Sequence, residues 1–265
     1  MLQQTQVSRV LWKYPEFLRK YSTFKKLAES TPADAIRAWR GMGYNNRVLR
    51  LRSLSQVVVR KYRGKLPEDV HALESLPGIG KYTARAVACF AFGKQVAVVD
   101  TNVERVLRRL YPERIHPKRS TPRDIWDVAA DHLPRGRAHD WNQGLMDFGA
   151  MICTAVQPRC KQCPLNQLCP SAHKVSRHPR LLVPRKEPGR AGIPNRIYRG
   201  KTVEALRTLS AGSSMSTLSL ARIIVPDFSV RDRAWFQLLL KNLEHDGMVR
   251  FRGRNRISLP DEGGD

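Results

Sequence analysis

The chain has 265 residues, a formal net charge of +24 and an isoelectric point of about 10.6. Hydrophobic residues make up 42% of it, which is typical of folded rather than disordered chains. The length suffices for one large domain or two ordinary ones. So strong a positive charge favours a polyanionic partner, with nucleic acid first and an anionic membrane surface second. The alternative is a solvated shell of Lys and Arg side chains without a partner.

No apolar run approaches the roughly 20 residues that a membrane span needs. Residues 1–10, MLQQTQVSRV, lack the apolar block of a signal peptide. We therefore expect a cytosolic, nucleoid-associated protein without a membrane partner. Thiols stay reduced in the cytosol, so the five cysteines are predicted to be core residues or metal ligands rather than disulfides.

Helical periodicity dominates the first two thirds of the chain and predicts an all-α fold. Apolar residues recur near a 3.6-residue spacing from Val7 to Tyr21. Ser30-Thr31-Pro32 predicts a capped helix start. Further helices are predicted at about 47–62, 67–76, 82–92, 102–111, 122–133 and 140–153, and a single short strand at 96–99.

A glycine-pinched turn separates two of these helices. Residues 76–80 read LPGIG, and two glycines let the backbone adopt positive φ and approach a ligand closely. The next helix would then present its first N–H groups to an anion, with Lys81 as a nearby cation. We expect a backbone clamp on a DNA phosphate, formed by Pro77, Gly78, Gly80 and Lys81. A plain turn is the alternative.

Four of the cysteines are clustered as C-x6-C-x2-C-x5-C. Four thiolates within so short a span suit a tetrahedral zinc ion or a [4Fe–4S] cluster, and the spacing alone leaves both open. The predicted ligands are Cys153, Cys160, Cys163 and Cys169. The fifth cysteine, Cys89, lies on an apolar helix and is predicted to be a core thiol.

The chain changes character after the cysteines. A basic, proline-containing stretch at 172–200 predicts a linker between a domain at 1–171 and a small one at 201–265. Helical patterns at 202–209, 216–224 and 229–246, followed by strands at 249–251 and 256–259, favour a winged-helix-like domain, although short helical bundles share the pattern. Every second residue here is an arginine, so one face of a strand is predicted to carry Arg250, Arg252, Arg254 and Arg256. That face would contact DNA or, as the alternative, solvent only.

Several motifs together resemble one protein family. The LPGIG turn, VVDTNVERV at 98–106 and the cysteine spacing resemble the endonuclease III and MutY branch of the helix-hairpin-helix DNA glycosylases. MLQQTQV at 1–7 and WRGMGYNNR at 39–47 are similar to the MutY adenine glycosylases in particular. The resemblance covers about residues 1–170. It implies a two-lobed all-α domain, a [4Fe–4S] cluster rather than zinc, and a monomer that binds double-stranded DNA containing a mismatched or oxidised base.

The resemblance also implies roles for individual residues. Asp100 matches the catalytic aspartate, whose charge stabilises an oxocarbenium-like sugar, and Asn102 matches an asparagine that supports it. By position alone Asp100 is an N-cap, and both roles can hold. Tyr82 stands where bifunctional relatives carry a nucleophilic lysine, so no lyase step is expected. Gln4 and Thr5 match residues that wedge into the base stack, and Tyr44 matches an intercalating aromatic.

Two departures from the family pattern affect the expected activity. The family's catalytic glutamate sits just upstream of the MLQQTQV segment, where this sequence begins, and we expect an N-terminally truncated chain. About 65 C-terminal residues are also too few for the Nudix-like domain of many MutY proteins. The expected function is removal of adenine opposite 8-oxoguanine or guanine, leaving an abasic site. The alternatives are a thymine or uracil (G·T) mismatch glycosylase and a catalytically impaired DNA-binding protein.

Overall fold

The computed structural model describes residues 1–3, 5–115, 124–174 and 187–261. The chain divides into two compact units, Met1–Leu66 with Lys186–Asp265, and Pro67–Arg185. The predicted helical fold class is confirmed, since the sheets in the described ranges are small and lie in the C-terminal segment. Within those same ranges, no helix combines the length and apolarity that a bilayer crossing requires.

The N-terminal helices begin where the sequence places caps. Thr31 accepts the Asp34 N–H at 3.0 Å, and Pro32 occupies the first helical turn, as Ser30-Thr31-Pro32 predicts. Four helices form this segment, α1 (Val7–Lys20), α2 (Phe24–Ala28), α3 (Pro32–Ala38) and α4 (Asn46–Tyr62). Their buried apolar faces contribute Phe17, Ile36, Trp39 and Val48 to the core of the first unit.

The described residues of the second unit contain six α-helices and a short 3-10 turn, Cys160–Gln162, in the cysteine loop. The α-helices are α5 (Val70–Glu74), α6 (Lys81–Phe92), α7 (Thr101–Leu110), α8 (Pro112–Ile115), α9 (Ile125–Asp131) and α10 (Ala138–Met151). Helices α5 and α9 are shorter than predicted, because Asp69 and Asp124 cap them with their side chains. Residues 122 and 123 of the predicted 122–133 helix lie outside the described residues.

The predicted strand at 96–99 is wrong. These residues are extended but pair with no strand among the described residues, because a side-chain amide takes the place of a partner strand. Asn142 of α10 accepts the Val98 N–H at 2.9 Å and donates to the Val96 carbonyl at 2.9 Å. Its side chain is almost fully buried and donates also to the Ala138 carbonyl. Asn142 thereby fixes the segment that leads into Asp100.

The C-terminal segment adopts a winged-helix-like topology. Its elements are β1 (Gly189–Arg190), β2 (Ile193–Pro194), α11 (Asn195–Arg207), β3 (Met215–Ser216), α12 (Thr217–Ile224), α13 (Arg233–His245), β4 (Arg250–Phe251) and β5 (Arg256–Ser258). The last three strands form an antiparallel sheet in the order β3-β5-β4. The predicted linker of 172–200 extends too far, because β1, β2 and the start of α11 lie within it; residues 175–186 are outside the described residues.

The unit boundaries differ from the predicted division into 1–171 and 201–265. Residues from the two ends of the chain share one hydrophobic core, in which Trp39 and Ile36 lie with Leu206 and Leu243. Arg207 also donates through Nε and Nη2 to the Ile36 carbonyl at the C-terminal end of α3, at 3.1 and 2.9 Å. The C-terminal segment is therefore part of a unit that includes residues 1–66.

The four alternating arginines do not share one strand face. Arg252 and Arg254 lie in the turn between β4 and β5, where Gly253 has a φ of +71°. A turn reverses the chain, so the two-residue alternation of a strand does not continue through it. Arg256 bonds to Ser214, and Arg252 donates to Asp261. All four side chains remain on the exposed surface.

Replacing Asn142 should destabilise the second unit. Asn142→Leu leaves the Val98 N–H and Val96 carbonyl buried without partners, at about 1–3 kcal/mol each. We expect the free energy of unfolding to fall by about 2–5 kcal/mol, measured by urea denaturation with circular dichroism. Gln143→Leu changes the exposed neighbour on the same helix and should shift it by no more than about 0.5 kcal/mol. Equal stability of the two variants would contradict the bridging role.

Candidate functional site

The LPGIG turn forms a compact hairpin between α5 and α6. Buried Leu76 anchors it and accepts the Ile79 N–H at 3.1 Å. Gly78 has a φ of +77°, a conformation that favours glycine. Gly80 precedes α6 in extended conformation, and no atom lies within 4 Å of the place its Cβ would occupy. The turn therefore leaves open space beside a helix start that has no capping side chain, which suits the approach of an anion.

Lys81 lies at the first position of α6, beside the hairpin. Its ammonium is 3.3 Å from Asp124 Oδ2 and lies over the Trp126 ring, 4.9 Å from the ring centroid. Arg85, one turn along α6, stacks on the same ring at 5.2 Å. The Trp126 backbone N–H is the largest cause of a lowered pKa at Asp124, followed by Lys81. Trp126 and Asp124 thus hold the cations near the hairpin.

Asp100 is the N-cap of α7. Its Oδ1 accepts the Val103 N–H at 2.7 Å, and its Oδ2 accepts from Asn102 Nδ2 at 3.1 Å. The carboxylate is therefore fixed by two donors and is partly buried. The N-cap that position predicts is confirmed by this geometry, and the carboxylate retains lone pairs for a further role.

Tyr82 lies at the second position of α6 with 40% of its surface exposed. Partial burial raises the pKa of its phenol, and the negative charge of Asp100 raises it further. The phenol is therefore close enough to sense Asp100 and stays protonated near neutral pH. Tyr82 and Asp100 come from different helices of one unit and lie within electrostatic range of each other.

A chain of hydrogen bonds connects Asp100 to the cysteine loop. Arg105 donates to Asn102 Oδ1 at 2.9 Å and, through Nε, to the Cys153 carbonyl at 2.9 Å. It also donates to the Gly149 carbonyl at 2.6 Å. A Cβ on Gly149 would lie 2.7 Å from the Asn102 Cβ, so only glycine permits this approach of α10 to α7. Asn102 is thus held by both packing and hydrogen bonding.

The four clustered cysteines line one cavity. Its walls are apolar side chains of α7 and α10, among them Val106, Leu110 and Phe148. All four thiols are partly buried and free, and Cys89 is a buried core thiol as predicted. Burial is the largest cause of a raised pKa at the Cys163 thiol, and the other three cysteines raise this pKa further.

Arg109 of α7 organises the first part of the cysteine loop. It donates to the Cys153 sulfur at 3.2 Å and to the Thr154 and Ala155 carbonyls at 2.8 and 3.1 Å. Four cysteines on one apolar-walled cavity, with a cationic donor beside one sulfur, are a set of side chains whose chemistry suits a metal group bound by thiolates, although their sulfurs are not gathered at one point. In the described ranges, no group of three or more His, Cys, Asp or Glu side chains forms a site for a metal ion.

The MLQQTQV segment and the WRGMGYNNR loop are joined by Arg47, in the first unit. Arg47 donates to the Thr5 hydroxyl at 2.7 Å, to the Met1 carbonyl at 3.0 Å and to the Met42 carbonyl at 3.0 Å. Thr5 donates to the Met42 carbonyl at 3.2 Å. Gln4 lies outside the described residues. The structure therefore brings Thr5 into contact with the loop that carries Tyr44.

Tyr44 is exposed and conformationally strained. Its φ is +44°, unusual for a bulky residue, and 56% of its surface is exposed. The Arg47 guanidinium lies 5.5 Å from the centroid of its ring. Strain of this kind costs of order 1–3 kcal/mol and persists where the surroundings impose it. An aromatic ring held outward in this way suits stacking on a base.

Sequence reasoning missed the arginines that support these residues. Arg47 is the last residue of the WRGMGYNNR motif and Arg105 lies inside VVDTNVERV, but the motifs alone indicate no role for either arginine. Arg109 follows one helical turn after Arg105 and faces the cysteines. Arg105 and Arg109 are four residues apart and therefore lie on the same face of α7. This spacing is the sequence signal that indicates a shared partner for the two side chains.

Comparisons with known proteins agree with this arrangement. Residues 1–130 match the family model for the HhH-GPD superfamily base excision DNA repair protein. The chain is 38% identical over 264 residues to an adenine DNA glycosylase of Mycobacterium tuberculosis (strain ATCC 25618 / H37Rv), covering 99% of this chain and 84% of the relative. This match includes the C-terminal winged-helix-like segment.

Two solved structures show the same fold over about two thirds of the chain. A thermostable thymine-DNA glycosylase superposes with a TM-score of 0.60 at 34% identity, covering 65% of this chain and 80% of that one. A non-covalent endonuclease III–DNA complex superposes with a TM-score of 0.57 at 28% identity, covering 67% and 82%. The chain belongs to the HhH-GPD superfamily of base excision DNA repair proteins, in its MutY-type branch.

Proposed function

We propose that this protein is a monofunctional DNA glycosylase that removes adenine mispaired with 8-oxoguanine or guanine and leaves an abasic site. The observation that carries the proposal is the carboxylate of Asp100, fixed by the Val103 N–H and by Asn102 in the same unit as the glycine-pinched hairpin. The Mycobacterium tuberculosis relative, named as an adenine DNA glycosylase, supports the choice of base. We place the activity on nucleoid DNA, acting as a monomer.

Excision requires charge stabilisation at the sugar. Breaking the C1′–N9 bond leaves positive charge on the sugar ring, and a fixed carboxylate lowers the energy of that transition state. Water then adds to C1′, and the base leaves with a proton. In the family that this chain resembles, base protonation is assigned to a glutamate that precedes the segment matching MLQQTQV.

The LPGIG hairpin and the WRGMGYNNR loop supply the proposed DNA contacts. Pro77, Gly78, Gly80 and Lys81 would bind a backbone phosphate through N–H groups and one cation. Thr5, with Gln4, would wedge into the base stack, and Tyr44 would stack beside the opposite base, offsetting a few kcal/mol of unstacking. Tyr82 would contact the extruded nucleotide near Asp100 without forming a Schiff base, because a phenol cannot form one.

We assign the four clustered cysteines to a [4Fe–4S] cluster. Cys153, Cys160, Cys163 and Cys169 would hold it, and Arg109 would donate to sulfur at its edge. Cys153, Cys160, Cys163 and Cys169, if they bound the cluster, would be cross-linked through it, and the loop of residues 153–169 would become rigid. Arg105 donates to both the Cys153 carbonyl and Asn102 Oδ1, so a rigid loop would also restrict the position of Asn102.

A thymine or uracil mismatch glycosylase is the second candidate function. Tyr82 in place of lysine, and the thymine-DNA glycosylase of 34% identity, favour it. The MLQQTQV segment and the nearly full-length match to an adenine DNA glycosylase favour adenine. We expect single-turnover excision from A·8-oxoguanine duplexes to exceed excision from G·T duplexes by at least about 100-fold. The reverse order would establish the second candidate.

Asp100→Asn should separate catalysis from helix capping. Asparagine caps a helix as well as aspartate does, so melting temperature and DNA binding should stay nearly unchanged. Loss of the charge should lower the single-turnover excision rate on an A·8-oxoguanine duplex at least about 100-fold. Asp69→Asn changes the N-cap of α5 in the same way and should leave the rate unchanged. An Asp100→Asn variant that cuts at the parental rate would refute the catalytic assignment.

The cysteine assignment predicts metal content. Purified protein should contain about four iron and four acid-labile sulfide per chain, measured chemically. Cys160→Ala should lower both, because one cluster ligand is lost. Cys89→Ala removes a buried thiol outside the cluster and should keep the full iron content. Zinc in place of iron in the parental protein would contradict the cluster.

A further inference from the structure

The C-terminal segment keeps a group of cations without carboxylate partners. Residues 187–261 contain thirteen Lys and Arg against seven Asp and Glu. Six of the acids bind arginines, in the pairs Glu187–Arg196, Glu204–Arg207, Asp227–Arg190, Asp232–Arg190, Asp246–Arg199 and Asp261–Arg252. Glu244 instead accepts the Phe251 N–H at 3.0 Å. The acids among the described residues are therefore engaged, and neither Arg233 nor Arg254 is among their partners.

Two of these cations line the same groove. Arg233 begins α13 and Arg254 lies in the β4–β5 turn, and neither has an ion pair or hydrogen bond within the described part of the chain. The groove has a volume of about 490 Å³. Its lining includes the aromatic rings of Phe236 and Phe251 and the amides of Gln237 and Asn255, but no carboxylate among the described residues.

The surrounding topology presents this groove at the surface. One face of α13 is buried through Phe236, Leu239 and Leu243, so the opposite face lies in solvent. That exposed face carries Gln237, Lys241 and Leu238, whose exposed fraction is 59%. Helix-turn-helix proteins approach duplex DNA with an exposed helix, and here a basic β-hairpin lies beside such a helix.

We propose that the groove between α13 and the β4–β5 turn is a second DNA-contact site, which binds phosphates of the duplex backbone through Arg233 and Arg254. A guanidinium offers paired N–H donors that match phosphate oxygens, and the amides of Gln237 and Asn255 add neutral donors. The contact is independent of base sequence. The inference rests on the proposed function only in choosing DNA as the polyanion.

The salt dependence of DNA binding tests the site. In the full chain, Arg233→Gln with Arg254→Gln should raise the Kd for an undamaged duplex about tenfold or more near 0.1 M salt. The slope of log K against log [salt] should become shallower by about 1.8, which corresponds to two lost phosphate contacts. Fluorescence anisotropy over a salt series measures both. The two side chains are exposed, and the melting temperature should remain unchanged.

A charge-matched control distinguishes binding at this groove from non-specific attraction between DNA and the net positive charge of the protein. Lys201→Gln with Arg222→Gln removes two exposed cations from the same segment, outside the groove. This control should keep the parental slope. Equal slopes for the two double variants would overturn the proposal, as would a loss of affinity for duplex RNA without one for duplex DNA.

Excision kinetics keep the two proposals apart. At saturating DNA, the groove variant should retain the parental single-turnover rate, because it changes binding and leaves the Asp100 site intact. If the parental chain excises no adenine from any duplex, the proposed function fails, while the difference in salt slope still decides the groove proposal. A groove variant that binds normally but excises slowly would overturn the groove proposal alone.

Discussion

The position of one carboxylate depends on a buried amide from another helix. Asn142 satisfies the backbone of residues 96–98, and this extended segment delivers Asp100 to the first turn of α7. The helix then holds the carboxylate through Val103, and Asn102 holds its other oxygen. Because every group in this series is already paired, little reorganisation is left for the moment when charge develops on the sugar.

Much of the positive charge is used inside the molecule. Arg47, Arg105, Arg109 and Arg207 all donate to backbone carbonyls, where guanidinium groups join segments distant in sequence. Neither a shell of solvated cations nor attraction to DNA therefore accounts for all of the positive charge. Arginine suits this use because its planar donors bridge several acceptors without deprotonation.

Sequence patterns predicted the features that local chemistry decides. The caps at Thr31 and Asp100 and the turn at Gly78 follow from single residues and their immediate neighbours. The strand at 96–99 was wrong because its partner is a side chain far along the sequence, which periodicity does not reveal. Likewise, composition could not show that residues after 188 pack on the N-terminal helices, because such packing depends on contacts between distant segments. The roles of the site residues remain predictions.

The shared core of the chain ends sets an order of folding during synthesis. Trp39 and Ile36 emerge early from the ribosome, yet their packing partners include Leu243 and Leu259, which emerge near the end. The intervening unit, Pro67–Arg185, has its own core and is complete earlier. The apolar faces of the nascent N-terminal helices therefore stay exposed while Pro67–Arg185 is synthesised and folds. During that interval chaperones would bind them.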